Sequence, residues 1–332
     1  MKLFRELAEI PADFGPSAVT IGNFDGVHLG HQKVLGEIVA DARSRGQSSI
    51  AITFDPHPAL VHRPDDAPEL ITGLSEKIRR LEATGLDAVL VQTYTLELAR
   101  NSPEDYVKAV FVEALNAATV VVGRDVRFGW ENTGDLATMR ALGEKYGFVV
   151  EVIDDLGSYA EGIGDDLLPS GGRWSSTQIR QLLSEGDAGA AATMLGRPHV
   201  VSGTVVHGDA RGRDLGFPTA NLGEDTEGLV PADGVYAGWI TLDDEKQRHP
   251  AAISVGTNPT FEGNRRRVEA HVIDRSDADV MDFDLYGRVM TVEFVAHLRP
   301  MVAYKGLEPL VEQMTSDVGE TREVLGLRSG KD

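Results

Sequence analysis

The hydrophobic pattern of this chain changes period partway along, and that change limits the folds open to it. Up to about residue 185, short unbroken apolar runs rich in β-branched residues alternate with amphipathic stretches. The runs at 18–22, 49–54, 88–92, 119–123 and 148–153 read as buried strands. Helices are predicted over 32–45, from Ser75, from a capping box at Ser102-Pro103-Glu104-Asp105, and over 136–146. Short β-rich runs separated by helices pair in parallel, with both faces of the sheet covered. A helix at 175–184 and a short one at 188–195 follow, and then the period becomes two. The stretches 200–207, 235–242, 251–256, 268–273 and 289–298 read as strands of a small antiparallel barrel, closed by an amphipathic helix over 307–325. The predicted class is therefore α/β, with one domain at 1–186 and a second at 187–332. The Gly- and Asp-rich stretch 157–172 reads as a loop.

Composition narrows the function. A length of 332 residues is long for one core and suits two domains. The absence of cysteine excludes disulfides, thiolate metal sites and cysteine nucleophiles, and fits a reducing compartment. The first residues contain Glu6 and Glu9 and lack the apolar core of a secretory signal. No run of about 18 apolar residues occurs, so a cytoplasmic protein without a membrane partner is expected. A net charge of −20 argues against gripping a nucleic-acid backbone. The same charge opposes phosphate substrates, so helix N-termini, backbone amides, a few arginines and a divalent cation must attract them locally.

The run Gly22-Asn23-Phe24-Asp25-Gly26-Val27-His28-Leu29-Gly30-His31 follows the first strand and opens the first helix. That is the architecture of an anion site, because the first amides of a helix lack internal partners and lie at the positive end of its dipole. His28 and His31, three residues apart, can both reach one phosphate and donate to oxygens whose charge grows in a transition state. Gly30 lets a ligand approach the backbone. Metal binding by these histidines is the rival reading. The His-Glu-x-x-His pattern is missing, and no third ligand is obvious. Plain helix capping is the bland reading.

A second signal is Ser175-Ser176-Thr177-Gln178-Ile179-Arg180. Hydroxyls open a helix there, and Arg180 offers a planar charged fork suited to phosphate. Weaker elements sit at predicted strand ends: His57 within Thr53-Phe54-Asp55-Pro56-His57-Pro58, and Asp125 within Gly123-Arg124-Asp125-Val126-Arg127-Phe128-Gly129. In the second domain, Gly208, Gly212, Arg213 and Gly216 lie in a Gly-rich run that ends in Pro218-Thr219-Ala220-Asn221. The glycines permit a loop close to phosphates, and Thr219 and Asn221 are hard oxygen donors suited to Mg²⁺. On a period-two strand Glu269 shares a face with Arg267 and His271. An inward-facing carboxylate there could act as a general base, while a solvated glutamate is the bland alternative.

Together these strings resemble the prokaryotic bifunctional riboflavin kinase/FMN adenylyltransferases, also called FAD synthetases. The His-x-Gly-His turn marks only the nucleotidyltransferase superfamily. The longer string through Gly22, Asn23, Phe24 and Asp25, the Thr53–Pro58 segment and Ser175–Arg180 are more specific. In the second half, Asp233-Gly234-Val235-Tyr236, Val255-Gly256-Thr257-Asn258-Pro259-Thr260-Phe261, Val268-Glu269-Ala270-His271 and Leu285-Tyr286-Gly287 carry the likeness. Trp174 stands where the family usually has isoleucine, and Val126 where it often has phenylalanine. The resemblance implies a Rossmann-like nucleotidyltransferase sheet and a riboflavin kinase-like barrel. It further implies substrates riboflavin, FMN and ATP, with Mg²⁺. It assigns His28, His31 and Arg180 to adenylyl transfer, Thr219 and Asn221 to Mg-ATP, and Glu269 as the base. An adenylyltransferase for another phosphorylated precursor, such as phosphopantetheine, and a non-catalytic flavin- or nucleotide-binding regulator are the alternatives. Self-association is not readable from the sequence.

Overall fold

The computed structural model describes residues 1–153, 174–207, 217–243, 245, 247–260, 263–274, 285–304 and 306–327. The chain forms two compact units: Met1–Pro68 with Leu74–Ser175, and Glu69–Gly73 with Ser176–Asp332. No helix among the described residues is long and apolar enough to cross a membrane.

The first unit is built on a parallel sheet. Its strands are β1 (Lys2–Phe4), β2 (Ser17–Ile21), β3 (Ser48–Asp55), β4 (Ala88–Thr93), β5 (Ala117–Gly123) and β6 (Val149–Ile153), in the order β1-β4-β3-β2-β5-β6. The helices between them are α1 (Leu29–Ser44), α2 (Pro58–His62), α3 (Leu74–Ala83), α4 (Leu96–Ala99), α5 (Pro103–Tyr106) and α6 (Leu136–Tyr146). Successive side chains of a strand point to opposite faces, and both faces of this sheet are packed. Val19, Ile50 and Ile52 join one apolar cluster, whereas Ala18, Ala51 and Val89 join another with Val34, Leu35 and Ile38 of α1. Strand β1 was invisible to periodicity, because three residues with one buried side chain carry no period; its pairing with Ala88, Val89 and Leu90 of β4 defines it. The capping box holds: Ser102 Oγ accepts from the Asp105 N–H at 3.1 Å, with Pro103 opening the helix. The backbone then continues as a π-helix over Val107–Ala114, which the apolar pattern did not announce.

The second unit begins with α7 (Ser176–Ser184) and α8 (Ala188–Leu195). It continues as β7 (His199–Val206), β8 (Ala220–Leu222), β9 (Gly234–Leu242), β10 (Arg248–Thr260), β11 (Gly263–Val272) and β12 (Val289–Arg299), and ends in α9 (Leu307–Val324). The strands close a barrel in the order β10-β11-β8-β7-β12-β9, and every recorded pairing is antiparallel. Alternate residues fill it, among them Val201, Ala220, Leu222, Ile240, Ile253, Val268, Ala270 and Val292. Gly238 marks where β9 meets the irregular part of β12: a Cβ there would lie 1.9 Å from the Glu293 carbonyl oxygen. The segment 69–73 is chain from between α2 and α3, yet it packs here. Ile71 is fully buried, and its carbonyl accepts from the Leu229 N–H at 3.4 Å.

Candidate functional site

In the first unit β2 lies between β3 and β5. The segments that follow these three parallel strands therefore leave the same carboxyl edge side by side, which is where open α/β sheets bind ligands. They carry Gly22, Asn23, Phe24, Asp25, His28, Gly30 and His31 after β2, His57 after β3, and Asp125 after β5.

The turn after β2 is strained and tightly held. Phe24 and Val27 have φ of 46° and 39°, in the left-handed region that β-branched residues avoid. Such conformations cost on the order of 1–3 kcal/mol each and persist only where the surroundings impose them. Here Gly22 N–H donates to the Ile52 carbonyl (3.0 Å) and Thr53 Oγ1 to the Asn23 carbonyl (3.1 Å). Gln32 Nε2 donates to the Val27 carbonyl at 2.8 Å. The Phe24 ring folds back over Gly22, where a Cβ would sit 3.0 Å from the ring, and meets the His31 ring edge-on at 5.4 Å.

Helix α1 starts earlier than the pattern 32–45 suggested, because His28 caps it. Its Nδ1 accepts from the His31 N–H at 3.3 Å. Capping and phosphate donation are therefore compatible roles: with Nδ1 accepting, a neutral His28 carries its proton on Nε2. His57 repeats the device at α2, its Nδ1 accepting from the Ala59 N–H at 3.1 Å. The rings of His28 and His31 stack at 3.7 Å and 17°. His31 Nδ1 is buried with no partner among the described residues.

Burial, and then the neighbouring His28, hold the His31 pKa well below its ordinary 6.5. The unfolded chain consequently takes up this proton first as pH falls. The stability linked to neutral His31 is complete above pH 6.5 and is lost as pH drops from there toward the lower folded value. The thermal midpoint is expected to fall between about pH 7 and about pH 5, and the His31→Gln variant to show a shallower fall. Equal slopes for the two proteins over that range would contradict the assignment.

The second unit brings another pair together. Asn221 on β8 stands directly opposite Glu269 on β11. Their neighbours Ala220, Leu222, Val268 and Ala270 point into the barrel core, so Asn221 and Glu269 share its outer face. This corrects the inward-facing carboxylate that spacing suggested. Strand β8 itself escaped the sequence reading, since three residues are too few for a period. Asn221 is 8% exposed, and its Nδ2 faces the Thr219 carbonyl at 3.5 Å, leaving its Oδ1 as the hard donor. His271, two residues beyond Glu269, bonds through Nδ1 to the Pro218 carbonyl at 2.9 Å and meets the Phe217 ring at 5.2 Å. Burial lowers the His271 pKa against the opposing effect of that bond, so the ring is the donor and stays neutral. The segment carrying Thr219 is thus tied to β11.

Arg180, Ser176 and Thr177 lie at the start of α7 in the second unit, and Arg180 Nε donates to the Glu69 carbonyl at 2.8 Å. The paired imidazoles belong to the first unit. Trp174, just before α7, is buried at 4% exposure, and Val126 packs against the first unit's core, so both family departures are apolar packing positions. Gly208, Gly212, Arg213, Gly216 and the loop 157–172 lie outside the described residues. Two residues at the first edge went unread in the sequence. Gln32 clamps the strained turn. Lys77 is 3% exposed and occupies the stripe of α3 otherwise held by Leu74, Ile78 and Leu81. A lysine at an apolar stripe position was the available signal.

These features define a class: a nucleotide-handling parallel sheet joined in one chain to an antiparallel barrel that bears a carboxylate beside a hard oxygen donor. The first part matches the family described as FAD synthetase over residues 10–165, and the second matches Riboflavin kinase over residues 195–325. The bifunctional riboflavin kinase/FMN adenylyltransferase of Escherichia coli (strain K12) is 34% identical over 330 residues, covering 98% of this chain and 99% of the relative. The protein of the same name from Bacillus subtilis (strain 168) is 33% identical over 308 residues, 92% of this chain and 91% of that one. A crystal structure titled as a macrolide-efflux protein from Streptococcus pneumoniae superposes with a TM-score of 0.79 at 28% identity, covering 96% of this chain and 98% of that one. The chain belongs to the bifunctional riboflavin kinase/FMN adenylyltransferase family.

Proposed function

We propose that the chain phosphorylates riboflavin with ATP to give FMN, then adenylylates FMN with a second ATP to give FAD. Because it consumes ATP, we assign it to the cytoplasm. The observation that carries the reading is Glu269 directly across from Asn221. Transfer to a hydroxyl requires a base close to the bound nucleotide, and this register supplies one. In that step the terminal ribityl hydroxyl attacks the γ-phosphorus, its proton passes to the Glu269 carboxylate, and ADP leaves. Thr219 Oγ1 and Asn221 Oδ1 fit a hard cation, and they would hold Mg²⁺ together with phosphate oxygens and water. Bound there, the ion would spread the charge of the triphosphate.

The adenylyl step makes a different demand. Its nucleophile is a phosphate oxygen of FMN, already anionic near neutral pH, which attacks the α-phosphorus while pyrophosphate leaves. No proton has to be removed. The work is orientation and charge stabilisation, which suit the His28–His31 pair; the motif resemblance adds Arg180, Ser176 and Thr177. The neutral state of His31 fits donation through N–H bonds rather than a fixed pair of positive charges. Division of the two activities at 186/187 is part of the same proposal.

Incubation of the purified chain with riboflavin, ATP and Mg²⁺, followed by chromatography of the flavins, tests the reading. FMN and then FAD are expected, and neither product would refute it. FAD made from supplied FMN, but no FMN from riboflavin, would refute the kinase half alone. Excess chelator is expected to stop both reactions, because a chain of net charge −20 has no broad positive field to replace the cation. Full turnover in chelator would remove Mg²⁺ from the proposal.

A further inference from the structure

Lys77 poses a physical problem that its neighbourhood answers. Among the described residues no other lysine or arginine is buried. Its Nζ donates to the Phe54 carbonyl at 3.4 Å, at the end of β3. Burial pulls its pKa down, and the carboxylates of Asp25 and Asp55 oppose that shift. Asp25 is itself buried, at 3% exposure, within the strained turn that leads to His28. One ammonium therefore ties α3 to the end of β3 that precedes His57, and its charge is balanced by Asp55 and by the buried Asp25 of the turn that precedes His28. An apolar side chain in the same stripe would fill the space with no desolvation cost, so stability alone does not account for a lysine there.

We infer that Lys77 is a positioning residue for adenylyl transfer: its buried ammonium holds the end of β3 through the Phe54 carbonyl and balances the charge of the buried Asp25 in the turn after β2, so that the imidazoles that follow these two segments keep a fixed arrangement. The inference rests on the adenylyl site proposed at this edge. Small displacements of oriented groups cost rate far more than they cost stability. A buried charge kept for geometry is one way in which a fold trades stability for function.

The test uses the full chain and the variants Lys77→Met, Asp25→Asn and the double substitution. Adenylylation of supplied FMN is measured beside phosphorylation of riboflavin and thermal midpoints. Lys77→Met is expected to lower kcat for adenylylation by on the order of a hundredfold. The KM for FMN and for ATP should stay near wild type and riboflavin phosphorylation should be unchanged, while the midpoint of Lys77→Met falls because Asp25 loses its counter-charge and that of the double variant recovers. Because the two residues act through each other, the double variant is expected to be no slower than the slower single variant. Wild-type FAD output from Lys77→Met, or multiplicative losses in the double variant, would overturn the inference. An equal fall of both activities in Lys77→Met would also overturn it, by making Lys77 a support of the fold only. A wild-type chain that makes no FAD from FMN fails differently: it removes the adenylyl site itself, and this inference with it.

Discussion

Glu269→Ala is expected to cut FMN formation from riboflavin by on the order of a thousandfold, while the same preparation converts supplied FMN to FAD at the wild-type rate. The asymmetry follows from the two nucleophiles. A ribityl hydroxyl must lose its proton as it attacks, and a positioned base typically contributes a hundredfold to ten-thousandfold. The phosphate of FMN has no such proton. Glu269 lies on the outer face of the barrel, while the core depends on Val268 and Ala270 beside it, so the substitution removes no core packing. Glu269→Gln, which keeps the shape and loses the basicity, should be nearly as slow as alanine. Equal loss of both reactions would contradict separate sites, and a fully active Glu269→Gln would dismiss the carboxylate as the base.

Loss of the imidazole pair should do the reverse. Each of His28 and His31 is assigned one donor to the phosphoryl group, and a single oxyanion donor is worth about 2.7–4 kcal/mol of transition-state stabilisation. Each single alanine variant should therefore lose a hundredfold or more in FAD formation, and the double variant should show none above background, with riboflavin phosphorylation intact. His28 also caps α1, so alanine there removes a cap worth about 1 kcal/mol in addition. His28→Asn separates the two roles, because an amide oxygen can take over the cap while the Nε2 donor is gone. The expected result is a stable protein with a slow adenylyl step. Wild-type FAD output from His28→Asn would reduce His28 to a helix cap.

How far the sequence could be read depended on the range of the interactions involved. Strand and helix alternation in the first half, and the switch to period two in the second, are local signals, and the elements they predicted are present with shifted ends. The His28 cap moved the start of α1, because a cap is a geometric bond that periodicity does not contain. Strands β1 and β8 are three residues each and exist through pairing with β4 and with β7 and β11. The segment 69–73 carries no mark of belonging to the second unit, since its carbonyls at Glu69 and Ile71 meet partners more than a hundred residues away. Candidate chemistry was legible wherever unusual residues crowd into a short string, as in the run from Gly22 to His31. Lys77 was marked only by its place on the apolar stripe of α3; its contact with the end of β3 joins residues distant in sequence.

The order of residues by itself determined a parallel sheet followed by a barrel, a Gly-rich turn with two histidines after the second strand, and Thr219 and Asn221 close together after a Gly-rich run. All of these arise from spacing along one stretch of chain. Only the tertiary structure decided that His31 is held neutral, that the two imidazoles stack, that Asn221 and Glu269 stand opposite each other outside the barrel, and that an ammonium is buried among the first edge's loops. Those properties come from desolvation and from contacts between residues distant in sequence, and neither exists until the chain has folded.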